Sequence, residues 1–74
     1  MWLRVDEIRL HDRRARGACP RTVERYRESL ESGREPPAIR VSRSPNDTWL
    51  VRDGRHRLLA ARAAGHVFIE AHVE

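Results

Sequence analysis

Glycine and proline punctuate this chain so often that no long element can form. Gly17 and Pro20, then Gly33 with Pro36 and Pro37, then Pro45, Gly54 and Gly65 cut its 74 residues into short segments. Glycine supplies turns and left-handed backbone, and proline cannot continue a helix interior. The length fits one small domain, taken as residues 1–74. A chain of this size buries only about 60% of its unfolded surface, so its core is marginal and a ligand adds noticeably to its stability.

Between the breaks, periodicity assigns the elements. Trp2, Leu3 and Val5 open a short strand, and Ile8 and Leu10 either extend it or form a turn that packs back. Residues 11–20 are polar and basic and read as a flexible loop. Thr22 is placed to cap a helix running to about Ser32, with Val23, Tyr26 and Leu30 on one face and Glu24–Arg27 and Arg27–Glu31 as pairs on the wet side. Gly33 suits the left-handed end of that helix, and Pro36-Pro37 forbid its continuation. Ala38, Ile39 and Val41, a turn at Ser44-Pro45-Asn46-Asp47, and Trp49 to Val51 predict an antiparallel hairpin over 38–52. Arg55 to Ala64 is a second helix stopped by Gly65, and Val67 to Val73 is a last strand. The order β-α-β-β-α-β is an α+β fold, one small mixed sheet with two main helices covering a face.

Several function classes fall away. The longest apolar run, Leu58 to Ala61, is far short of a membrane span, and the N-terminus has no secretory apolar core. With one cysteine, Cys19, and no export signal, a reducing cytoplasm is the expected compartment. His11, Cys19, His56, His66 and His72 show no metal-ligand spacing. The net charge of +4 comes entirely from arginine, for the chain has no lysine. That reflects either base composition or selection for bidentate phosphate contacts. Arg13-Arg14 and Arg16 allow backbone contact with nucleic acid or are simply solvated. The four aromatic residues, Trp2, Tyr26, Trp49 and Phe68, are expected mostly on apolar faces, which does not suggest a base-stacking platform.

The sharpest local feature is the strand-to-helix break at Asp53-Gly54-Arg55-His56-Arg57. A glycine there lets the backbone turn tightly and lets a ligand approach. The first helical turn leaves N–H groups unpaired at the positive end of the helix dipole. Arg55, His56 and Arg57 add cationic side chains where cations are unfavourable unless an anion is bound. The pattern therefore suits a phosphate, with Arg55 and Arg57 on its oxygens and His56 donating a hydrogen bond. Asp53 would orient the turn or help hold a Mg²⁺ that accompanies a nucleotide. The same residues also fit a plain surface, with Asp53 as an N-cap and the arginines solvated. Gly33, Arg34, Glu35 and Pro37 are either a rigid connector or the opposite wall of the site.

Read from the first helix onward, the chain resembles the ParB/sulfiredoxin fold. The resemblance rests on Gly33-x-x-x-Pro37, the strand Ile39-x-Val41, Trp49-x-Val51-x-Asp53-Gly54-x-His56-Arg57, and the Ala-rich helix ending at Gly65. It covers nearly the whole chain and includes the branch often labelled ParB-like nuclease, in which no cluster of metal-binding carboxylates is visible here. In ParB the matching Gly-Glu-Arg-Arg motif contacts the triphosphate of CTP. Gly54 and Arg57 match it, while Arg55 and His56 replace the acid and the first arginine, and Pro36 stands where ParB's loop has glutamine. No helix-turn-helix segment accompanies these residues, so partition of plasmids is not expected. In sulfiredoxin the motif is Gly-Cys-His-Arg, and Arg55 takes the cysteine's place, so reduction of a sulfinic acid has no nucleophile there. Cys19 is expected in another loop. The free serine kinase branch implies a carboxylate base, for which Glu7, Glu35 and Asp53 are available. The resemblance thus implies binding of a nucleotide of the CTP or ATP type, with hydrolysis or transfer open. The alternatives are DNA contacted through its backbone phosphates and a non-catalytic interaction module.

Overall fold

Ile39 and Val41 alternate with Arg40 and Ser42, the signature of a strand with one buried face. The computed structural model, which describes residues 1–10, 17–34 and 38–74, places them in β3 (Ile39–Arg43). The prediction of a flexible loop at 11–20 falls mostly outside the described residues, as do Glu35, Pro36 and Pro37. β3 turns through residues 44–48 into β4 (Trp49–Asp53) and pairs with it antiparallel, Val41 opposite Val51. The predicted hairpin is therefore present. The Arg43 guanidinium lies over the Trp49 ring at 4.8 Å and its Nε donates to Asp47 at 3.0 Å, fastening the turn.

β5 (Phe68–Val73) runs parallel to β3 and antiparallel to β1 (Trp2–Arg4). Of the two readings of the N-terminal segment, an extended strand and a turn that packs back, the second is formed, and it adds a short strand. After β1, Val5–Glu7 form a 3₁₀ turn, and β2 (Ile8–Arg9) joins the far side of the sheet, parallel to β4. The sheet has five strands in the order β1-β5-β3-β4-β2. β1 and β2 are thus its two edges. A flat sheet of this width would hold its edges about 19 Å apart. The chain from Arg4 to Ile8 spans at most about 14 Å. The sheet must therefore curl its edges toward each other. Arg62 secures this closure by donating to the carbonyls of Val5, at 3.2 Å, and Ile8.

The first helix, α1 (Pro20–Glu31), begins two residues before the predicted cap. Pro20 is the first helical residue, where its missing N–H costs nothing and its fixed φ suits the helix. Cys19, not Thr22, is the N-cap. The predicted pairs of Arg27 with Glu24 and Glu31 are formed. α2 (Arg55–Ala63) follows β4 directly. Both helices close as predicted on left-handed glycines, Gly33 at φ 83° and Gly65 at φ 77°. Each end carries the paired bonds of a Schellman cap: Gly33 N–H to Leu30 and Arg34 N–H to Ser29, then Gly65 N–H to Arg62 and His66 N–H to Ala61.

The core gathers Leu58, Ala60 and Ala61 of α2 and Leu30 of α1 against Ile8, Ile39, Val41, Val51, Ile69 and Ala71 of the sheet. Burial of each large side chain stabilises by about 1.5–3 kcal/mol. The small Ala60 and Ala61 let α2 lie close. No described helix is long and apolar enough to cross a membrane.

Candidate functional site

At the end of β4 the backbone enters α2 through a single residue, Gly54, at φ 101° and ψ 27°. A Cβ there would meet Ile39 Cγ2 at 2.6 Å and Arg57 Cζ at 3.2 Å. Only glycine can pass the chain between the Ile39 side chain and the Arg57 guanidinium. No side chain caps α2, and a helical bond runs from Leu58 N–H back to the Gly54 carbonyl at 2.9 Å. The N–H groups of residues 55–57 thus open the helix at its positive end.

The start of α1 comes to the same place. The backbone N–H of Cys19 donates to His56 Nε2 at 2.9 Å. Two helix N-termini therefore converge, and between them lies an open cleft of about 430 Å³ lined by Thr22, Tyr26 and residues 52–57. The Arg57 side chain is well sheltered in it, only 14% exposed. Its Nη1 donates to the Ala38 carbonyl at 2.9 Å and its Nη2 approaches Asp53 Oδ2 at 3.4 Å. Arg55 Nη2 reaches the Gly17 carbonyl at 3.4 Å. Arg52 lies near Glu74, at 3.8 Å.

The structure brings Asp53, Gly54, Arg55, His56 and Arg57 together on this cleft and rearranges several expected roles. Asp53 is not an N-cap; Gly54 holds that position and the Asp53 carboxylate faces Arg57 instead. His56 was expected to donate. Its Nε2 accepts, so in the neutral ring the proton sits on Nδ1, and only that nitrogen can donate. Gly33 and Arg34 do not form the opposite wall; they line a second cleft at the C-terminal ends of the helices. The helix separates them, because α1 starts at the first cleft and ends at the second. Glu35 and Pro37 lie outside the described residues. Cys19, expected in another loop, meets His56 through its backbone N–H because α1 begins at Pro20. Thr22 and Tyr26, which sequence reasoning left out of the site, share one helical face at i and i+4, a spacing that carried the signal. Among the described residues no group of three His, Cys, Asp or Glu side chains could hold a metal ion.

The Cys19 thiol is held below its ordinary value, first by the Thr22 hydroxyl and then by the backbone N–H groups of Thr22 and Arg21. A lowered value means more thiolate at neutral pH. Alkylation of Cys19 by iodoacetamide is therefore expected to have a pH midpoint below that of free cysteine, and Thr22→Val should move it upward. A midpoint equal to that of free cysteine would contradict the geometry at the start of α1.

No family model matches the sequence, and no curated protein does either. Solved structures do match. Sulfiredoxin from Arabidopsis thaliana superposes with a TM-score of 0.82 at 22% identity, over all of this chain and 82% of that one. The C-terminally truncated chromosome-partitioning protein ParB from Caulobacter crescentus, complexed with CTP-gamma-S, gives 0.83 at 19% identity, over all of this chain and 43% of that one. A free serine kinase in complex with AMP gives 0.84 at 17%, over all of this chain and 30% of that one. The chain thus spans less than half of the last two. It has the ParB/sulfiredoxin-like fold, as the motif resemblance implied.

Proposed function

We propose that this chain, built on the ParB/sulfiredoxin-like fold, binds the phosphates of a nucleotide of the CTP or ATP type in the cleft at the start of α2. The observation that carries the reading is the left-handed, uncapped entry at Gly54, crossed by the braced guanidinium of Arg57. Backbone N–H groups of residues 55–57 and the side chains of Arg55 and Arg57 would receive the phosphate oxygens. His56 Nδ1–H would add a donor. The nucleotides held by the ParB and kinase structures support the same reading. Mg²⁺ would travel with the nucleotide. It takes oxygen ligands and keeps several waters, so the Asp53 carboxylate together with phosphate oxygens fits it better than a protein cage does. Bound in this way, it would neutralise phosphate charge.

A thermal-shift series with ATP, ADP, CTP and GTP, each with Mg²⁺, and with a short DNA duplex tests the proposal. Ligand at about ten times its Kd stabilises by about 1.4 kcal/mol. For a domain of this size that is roughly 6–11 °C. The expected result is such a shift for one nucleotide, reduced in Arg55→Ala, whose side chain has little structural duty. No shift with any nucleotide would overturn the proposal, and a shift with the duplex alone would move the function to DNA backbone contact.

A further inference from the structure

The aromatic residues do not all lie where the sequence placed them. Trp2 is 59% exposed and Phe68 52% exposed, on the neighbouring strands β1 and β5. Both line the second cleft, of about 190 Å³, with Arg34, His66 and Glu70 on its walls and the buried Leu30, Ala61 and Ile69 behind them. Trp2 pairs with Glu70 across the strands, and Arg4 with Phe68. The cleft sits at the C-terminal ends of α1 and α2, opposite the nucleotide site.

We infer that this cleft takes one base of a single-stranded nucleic acid. A volume of about 190 Å³ lined by two exposed aromatic residues suits one flat heteroaromatic ring. Helix C-termini carry partial negative charge, and Glu70 adds a carboxylate. The interior of the cleft therefore favours hydrogen-bond donors, such as the exocyclic amines of adenine, cytosine and guanine, and disfavours a phosphate. The phosphates belong at the rim, where the exposed Arg34 lines the cleft; Arg4, opposite Phe68 across the strands, is engaged by the Asp6 carboxylate at 3.2 Å. Charge decides between occupants. A second copy would bring another chain of net charge +4 to this surface, whereas a polyanion is attracted by it. A duplex does not fit, because its base faces are stacked and its base edges already paired.

Anisotropy of labelled octanucleotides of dC, dA and dT and of a labelled duplex, read at low salt, tests the inference. The dC and dA strands are expected to bind, dT several-fold more weakly, and the duplex least. Trp2→Ala and Phe68→Ala should each weaken binding by roughly fivefold or more, as loss of base stacking does. Both side chains are exposed, and circular dichroism checks that each variant stays folded. Arg34→Ala should lower the salt slope by roughly 0.7. The inference is overturned if no single strand binds, if both aromatic variants bind as the wild type does, or if sedimentation shows a wild-type dimer that Trp2→Ala dissolves. None of these readouts depends on a nucleotide at Gly54, so the two sites stand or fall separately.

Discussion

Gly54→Ala is expected to be the most damaging single-methyl change in the protein. Two costs fall on it together. Left-handed backbone at φ 101° costs a non-glycine residue about 1–2 kcal/mol. The new Cβ would also stand 2.6 Å from Ile39 Cγ2, and Ile39 is fully buried between the sheet and α2. Forcing a methyl into such a place costs about 1–3 kcal/mol. A chain of this length has a total stability of only about 4–11 kcal/mol, so a loss of about 2–5 kcal/mol lowers its melting temperature by roughly 10 °C or more. Gly33→Ala and Gly65→Ala are the controls. Both glycines are left-handed, at φ 83° and 77°, but a Cβ at either meets nothing within 4 Å. They should lose only the backbone contribution. Thermal melts of the three variants side by side decide the matter. If Gly54→Ala melts no lower than the controls, Ile39 yields freely and the close approach at the head of α2 is not a constraint.

The same contrast shows what the sequence could and could not reveal. The two helix ends were legible because a left-handed glycine after an apolar periodic run is a local signal. The hairpin was legible because alternation and its turn lie within one short stretch. β2 was not, since a strand limited to Ile8 and Arg9 shows no periodicity, and its partner, β4, is far along the chain. Pro20 was misleading for a related reason. A proline reads as a break, but at the first helical position it begins an element. For the site, the consecutive run from Asp53 to Arg57 needed only one strand-to-helix turn to come together, and it was readable. The contact between Cys19 and His56 joins residues that no spacing rule connects. Arg34 was misplaced because chain neighbours of a loop give no information about which end of a helix that loop serves. Trp2 and Phe68 are exposed because they alternate with the buried Leu3 and Ile69, and which face of the sheet the helices cover is a property of the whole fold and not of either segment.

Arg57→Ala should remove most of the nucleotide-induced shift, and the reason lies in how the side chain is held before any ligand arrives. A long arginine normally loses rotamer freedom when it binds phosphate. Here the bonds to Ala38 and Asp53 already hold the guanidinium across Gly54. That preorganisation makes each bond to phosphate worth more of its full value. A hydrogen bond to a charged partner contributes about 1.5–3 kcal/mol, so its loss should weaken nucleotide binding by roughly 10- to 150-fold. The variant will also be less stable without ligand, because the partly buried Ala38 carbonyl loses its donor. For that reason the quantity to compare is the increment that nucleotide adds to each variant's own melting temperature. Arg57→Lys sharpens the test. Lysine keeps the charge but lacks the planar fork, so it cannot brace against Ala38 and meet phosphate in the same geometry. It should recover only a small part of the increment. Arg55→Ala should fall between wild type and Arg57→Ala, since among the described residues Arg55 is held by a long contact to the Gly17 carbonyl at 3.4 Å. An Arg57→Ala protein that binds nucleotide as tightly as wild type would show that the cleft recognises its ligand elsewhere, and the phosphate assignment at the head of α2 would fall with it.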